Sequence, residues 1–257
     1  MKLLITNDDG IDATGLKQLA GALTDIADIY VVAPHTQRSA SGHGITLGRP
    51  VVVEKVDFQG AEQAFTLDGL PVDCVKMGLE LLSEQGVKID KVFSGINHGG
   101  NMGTDSIYSG TVAAAIEGSI CGLPSVAVSI NSLDPIQFET AKKLALRAAK
   151  LDFEKIDSKM VLNINVPNLP EDEIKGIKVT GLGPREYNEE YKKKYLDDGS
   201  LAYVYSGYPV HYEEFDCDSN DVGAFQSGYA SISPLHFDLC NHKLIDDLKE
   251  SDMALDL

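Results

Sequence analysis

The sequence predicts an α/β fold: a mostly parallel sheet in three layers, followed by an extended C-terminal arm. Three observations carry this. Short apolar runs alternate with helical periodicity as far as Pro167. Strand, helix and strand follow one another within the first 33 residues, a βαβ spacing that implies parallel pairing. Beyond Pro167 the long apolar runs stop, and tyrosines crowd among Asp, Glu and Lys.

Each element has its own signal. Lys2 to Thr6 contains the buried run Leu3-Leu4-Ile5 and ends in Thr6-Asn7-Asp8-Asp9-Gly10. Leu16, Leu19, Ala20, Leu23 and Ile26 recur at helical spacing, and Ile29 to Ala33 is a second strand stopped by Pro34. Shorter strands are expected at Ile45–Leu47, Val51–Val56 and Ala64–Thr66. A helix opens at Pro71 with Val72, Val75, Leu79 and Leu82 on one face. Val92-Phe93 is a third core strand, and a polar, glycine-studded loop is expected from Ser94 to Tyr108. A helix from Ser109, a strand Val126–Ile130, a helix from about Ile136 to Lys150 and a strand Val161–Val166 complete the core. The organisation expected is a catalytic core over 1–180 and a Tyr-rich arm with an acidic tail over 181–257. The arm, from Tyr187 to Tyr212, buries poorly alone and is expected to pack against another subunit.

Bulk properties narrow the function. The 257 residues carry 22 basic and 39 acidic side chains, a formal charge of −17. That field repels polyanions, so nucleic-acid polymers are not expected as partners. A small anion can still bind, because a cation or a helix dipole acts locally. Cys74, Cys121, Cys217 and Cys240 lack CxxC spacing, and no signal peptide or membrane-length apolar run occurs. The expectation is a cytoplasmic protein with no membrane attachment.

In open parallel sheets, ligands bind beyond the carboxyl ends of the strands. Three polar clusters fall there: Asn7-Asp8-Asp9-Gly10, the stretch from His35 to Gly44, and Ser94 to Thr111. Asp8 and Asp9 are like charges that repel unless a cation or proton intervenes. The glycines and asparagines of the third cluster let backbone amides approach an anion, and it leads into Ser109-Gly110-Thr111 at a helix start. No P-loop is present, and His98 stands where a dinucleotide fingerprint needs its first glycine. With Ser39 from the second cluster, Asp8, Asp9, Ser39 and Asn97 form an all-oxygen ligand set suited to Mg²⁺ or Mn²⁺. His35, His43 and His98 are expected as loop residues or substrate contacts.

Thr6-Asn7-Asp8-Asp9-Gly10, Arg38-Ser39, Ser94-Gly95-Ile96-Asn97-His98-Gly99-Gly100-Asn101-Met102-Gly103 and Tyr108-Ser109-Gly110-Thr111-Val112-Ala113-Ala114-Ala115 together closely resemble the SurE family. Ile232-Ser233-Pro234-Leu235 resembles that family's strand into its C-terminal tail. The resemblance implies a Rossmann-like core and a metal-dependent nucleotidase acting on nucleoside 5′- and 3′-monophosphates, with short polyphosphate as a further substrate. It also implies one divalent cation per subunit on Asp8, Asp9, Ser39 and Asn97, and a homodimer or homotetramer joined through C-terminal arms.

Two other readings use paired acids after a first strand. A receiver-type phosphoacceptor module needs an Asp at a later strand end, where this chain has Ser94-Gly95. A haloacid-dehalogenase-type phosphatase needs Asp-x-Asp, whereas Asp8 and Asp9 are adjacent. The expected chemistry is metal-assisted hydrolysis, in which a cation lowers the pKa of a water. Asp8 and Asp9 are the candidate catalytic residues, Asp8 orienting or deprotonating the water and Asp9 holding the metal. Asn97, Asn101, Ser109, Gly110 and Thr111 would stabilise phosphoryl charge.

Overall fold

The computed structural model describes residues 1–131, 136–155, 159–210 and 216–251. Tyr212 and the tail residues 252–257 lie outside the described residues. The first βαβ unit is β1 (Lys2–Thr6), α1 (Thr14–Leu23) and β2 (Asp28–Pro34). It is followed by β3 (Val53–Val56), β4 (Gln63–Leu67), α2 (Pro71–Glu84) and β5 (Lys91–His98). Then come α3 (Asp105–Tyr108), α4 (Gly110–Ile120), β6 (Ser125–Ile130), α5 (Glu139–Ala149) and β7 (Val161–Val166). The remainder holds β8 (Ile177–Val179), β9 (Tyr187–Asn188), β10 (Tyr191–Tyr195), β11 (Leu201–Tyr205), β12 (Tyr208–Pro209), α6 (Asp221–Gln226), β13 (Ala230–Leu235) and α7 (Ile245–Lys249).

Nine strands form one sheet in the order β3-β4-β2-β1-β5-β6-β7-β13-β8. The run β4-β2-β1-β5-β6-β7 is parallel throughout. Counted in chain order, those strands stand 3-2-1-4-5-6, the doubly wound arrangement whose direction reverses between β1 and β5. Layering follows from side-chain alternation along β1. Leu3 and Ile5 pack with Leu16, Leu19 and Leu23 of α1 and with Leu144 of α5. Leu4 points the other way, onto Cys74, Val75 and Leu82 of α2 and Ala114 of α4. Because both faces are covered, β6 and β7 are buried along their whole length.

The edges differ from expectation. Ile45–Leu47 forms no strand, and Leu47 is 79% exposed. The antiparallel edge strand begins only at Val53, where β4 offers a ladder. The third core strand does not stop at Phe93. It pairs with β6 as far as His98–Ile130, with an irregularity between Gly95 and Asn97. The first third of the expected loop over 94–108 is therefore strand, and the loop closes in the single turn of α3. β13 enters the sheet antiparallel to β7 and parallel to β8, so the chain after 181 returns to the core. Between them, β10–β11 and β9–β12 form two antiparallel pairs that stand off the sheet. Among the described residues, no helix is long and apolar enough to cross a membrane.

Candidate active site

The switch point between β1 and β5 opens into a cleft of about 900 Å³. Asp8, Asp9, Ser39, Asn97, Asn101 and Ser109 all line it. Three loops after β1, β2 and β5 thus meet at one sheet edge. Gly110 and Thr111 do not line the cleft. They sit behind Asp8 instead.

The loop after β1 is closed by the buried Asn7, whose amide donates to the Gly10 carbonyl at 3.0 Å and accepts from the Gly10 amide at 3.2 Å. This Asx closure takes the backbone out of the extended form, so the two following carboxylates turn toward one cleft. Asp8 is 5% exposed. The Thr111 hydroxyl donates to its Oδ1 at 2.5 Å, and the Arg38 amide donates to its carbonyl at 2.7 Å. Burial pushes the Asp8 carboxyl up to about 6; the Thr111 hydrogen bond opposes this and the Asp9 charge adds to it. Asp9 is more open. Its Oδ1 accepts from Gln37 Nε2 at 3.2 Å and its Oδ2 from the His98 amide at 3.2 Å. Gln37 Nε2 also donates to Ser39 Oγ at 2.9 Å, which brings those two oxygens around one nitrogen.

Asn97 stands near the carboxyl end of β5, and its Nδ2 donates to the Gly99 carbonyl at 2.8 Å. That bond commits the nitrogen and presents Oδ1 as an acceptor. Asn101 is buried and held from several sides. Its amide donates to Asn165 Oδ1 at 2.7 Å, its Nδ2 to Ser129 Oγ at 2.8 Å, and Asn163 Nδ2 donates to its carbonyl at 2.8 Å. Ser109 caps α4, its hydroxyl accepting from the Val112 amide at 3.1 Å. A Cβ on Gly110 would come within 2.7 Å of Ser41 Oγ and 2.8 Å of Asp8 Cβ. Only glycine lets the first turn of α4 pack this closely on the acidic loop.

The histidines separate. His98 lines the cleft, whereas His43 Nε2 pairs with Glu117 Oε2 at 2.8 Å and His35 is exposed. The far wall comes from the arm: Arg185, Glu186, Tyr187, Glu189, Tyr191 and Tyr205. It is braced on Asp105, whose Oδ2 accepts from Arg185 Nε at 3.0 Å and from the Tyr187 hydroxyl at 2.6 Å. The buried Asp221 of α6 adds a second brace, accepting from the Gly103 amide at 3.0 Å and the Gly183 amide at 2.7 Å. Sequence reasoning missed this wall. Its one visible signal was the density of tyrosines, which reads equally as an intersubunit surface.

The donor set suits a hard divalent cation. Two carboxylates, a hydroxyl and an amide oxygen line the one cleft, a candidate donor set that draws on oxygen alone. A cation there would offset the burial and repulsion that raise Asp8.

A doubly wound sheet with paired carboxylates facing a capped helix N-terminus at its switch point defines a class: a Rossmann-like α/β protein whose cleft can receive a small anion beside a cation. The model of the survival protein SurE family matches residues 3–189. The chain belongs to that family. It is similar to the 5′-nucleotidase SurE of Syntrophomonas wolfei, 43% identical over 253 residues, which cover 98% of this chain and 94% of that protein. The 5′-nucleotidase SurE of Pelotomaculum thermopropionicum is 44% identical over 251 residues, 97% of this chain and 95% of the relative. The crystal structure of the SurE protein from Aquifex aeolicus superposes with a TM-score of 0.81 at 38% identity, over 97% of this chain and 98% of the other.

Proposed function

We propose that this protein is a divalent-metal-dependent phosphomonoesterase that hydrolyses nucleoside 5′- and 3′-monophosphates to nucleoside and phosphate, with short polyphosphate as a second substrate. The observation that carries this reading is the meeting of Asp8, Asp9, Ser39 and Asn97 with the capped start of α4 in one cleft. Relatives that share over 40% of its residues along nearly the whole chain bear the name 5′-nucleotidase.

Asp8, Asp9, Ser39 and Asn97 would hold one Mg²⁺ or Mn²⁺ per subunit. Such an ion supplies Lewis-acid polarisation of the phosphoryl group. Asp8 orients the attacking water and takes its proton on Oδ2, since Oδ1 is engaged by Thr111. Thr111 acts through Asp8 and fixes its rotamer. Ser109 and Asn101 stabilise the charge that gathers on the phosphoryl oxygens, and the dipole of α4 adds to this from behind Asp8.

The distal end of the β10–β11 hairpin, beyond Tyr191 and Tyr205 on the same face, suits assembly into a homodimer or homotetramer. Tyr195, Leu201 and Tyr203 share one face and are exposed in the single chain. In this reading 1–180 carries catalysis and the arm within 181–257 carries association, β13 apart. The cysteines Cys74, Cys121, Cys217 and Cys240 are free, which favours the reducing cytoplasm. A phosphatase screen over 5′- and 3′-nucleotides, sugar phosphates and polyphosphate, with and without EDTA, tests the assignment. Release of phosphate from nucleotides that EDTA abolishes is expected; no release, or release indifferent to EDTA, refutes it.

A further inference from the structure

At the edge of the sheet away from the cleft, the chain carries a second and chemically different group of donors. β13 runs antiparallel to β7 and pairs Leu235 with Val161, the first residue of β7. The cleft lies beyond the carboxyl ends of the parallel strands, so Leu235 leaves the sheet at the opposite edge. His236-Phe237-Asp238-Leu239-Cys240-Asn241-His242 follows directly, with a His, an Asp, a Cys and a His at every second position. A carboxylate oxygen of Asp238, the Cys240 sulfur and a His242 ring nitrogen all lie within 4.8 Å of one another. His242 Nε2 stands 2.5 Å from Asp238 Oδ2, and the Cys240 amide donates to Asp238 Oδ1 at 2.8 Å. His236 Nδ1 accepts from the Asp238 amide at 3.1 Å, so it shapes the turn from outside the donor group.

In a tetrahedral site with Zn–N and Zn–O of about 2 Å and Zn–S of about 2.3 Å, neighbouring donors stand roughly 3.3–3.7 Å apart. Asp238, Cys240 and His242 can reach that spacing by small side-chain rotations, because all three are exposed. A thiolate and an imidazole beside one carboxylate prefer Zn²⁺ to Mg²⁺ or Mn²⁺, the reverse of the all-oxygen set in the cleft. We propose that Asp238, Cys240 and His242 bind one Zn²⁺ per chain, at a site separate from the cleft. Water takes the fourth position. The ion would tie the exit of β13 to the turn His242–Leu244 that leads into α7.

The test uses the reduced full chain carrying Asp8→Asn/Asp9→Asn, which disables the cleft, and Co²⁺ as the spectroscopic probe. Titration should raise a thiolate-to-cobalt charge-transfer band in the near ultraviolet that saturates at one equivalent per chain. Zn²⁺ should displace it and Mg²⁺ should not. Cys240→Ser should abolish the band, and His242→Ala and Asp238→Asn should each weaken Co²⁺ binding. Cys121→Ser/Cys217→Ser should leave both band and binding intact. The site would be overturned by the absence of a band, by a band that survives Cys240→Ser, or by one lost with Cys121 and Cys217. Binding indifferent to both His242→Ala and Asp238→Asn would also overturn it, as would saturation at half an equivalent, the mark of an ion shared between two chains.

Discussion

Asp8 concentrates the electrostatics of the site. Its folded carboxyl titrates near 6, against 3.8 for the free group, chiefly because it is buried. A carboxyl raised in this way binds more protons folded than unfolded between those values. The contribution of Asp8 to metal-free stability is therefore greatest below about pH 4 and falls as pH rises to about 6, by up to about 3 kcal/mol. Asp8→Asn should abolish that slope and raise the metal-free unfolding midpoint at pH 7, while turnover drops at least about a hundredfold. Thermal melts from pH 4 to 8 beside kcat read both effects; slopes that coincide in wild type and variant would contradict the account. Ser109 allows a separate decision. As a helix cap alone, its loss on Ser109→Ala costs ~1 kcal/mol of stability. As a phosphoryl contact it also costs turnover about ten- to a hundredfold. Reduced stability with normal kcat/KM would remove Ser109 from the chemistry.

At the scale of elements, the start of α4 against the β1 loop is a tight joint. Gly110→Val should push Asp8 and Ser41 apart, since a Cβ already meets them at 2.8 and 2.7 Å. Activity should fall at least about tenfold with the far-ultraviolet circular dichroism unchanged; a fully active variant would show that the joint is slack. The strands that position this joint were legible in the sequence because β1, β2, β6 and β7 are short apolar runs buried on both faces. The ligand loops were legible because their residues follow those strands directly. What the sequence concealed was set by neighbours. Ser94 to His98 reads as loop from its glycine and asparagine, yet β6 offers a ladder that keeps it in the sheet. Ile45 to Leu47 reads as strand, but the Thr46 amide and hydroxyl donate to the Asp73 carboxylate instead of to a ladder. The arm wall was hidden for the same reason, since Arg185 and Tyr187 reach the cleft only through Asp105.

For the whole molecule, two features stand together: a charge of −17 and a cleft proposed to take an anion. A divalent cation at the proposed site would resolve the conflict locally, while the field outside turns away polyanions. The exposed end of the hairpin belongs to this scale too. Light scattering at micromolar concentration should report a dimer or tetramer, and Tyr195→Ser/Tyr203→Ser should shift it toward monomer. A monomeric wild-type chain would contradict that assignment. The central claim is that hydrolysis runs on an oxygen-bound divalent ion at Asp8, Asp9, Ser39 and Asn97. The most direct measurement is kcat/KM for a nucleoside monophosphate in EDTA, after Mn²⁺ or Mg²⁺ is restored, and in Asp9→Asn. The account predicts activity lost in EDTA, recovered with the ion, and not recovered in Asp9→Asn; full activity in EDTA, or an unimpaired variant, would contradict it.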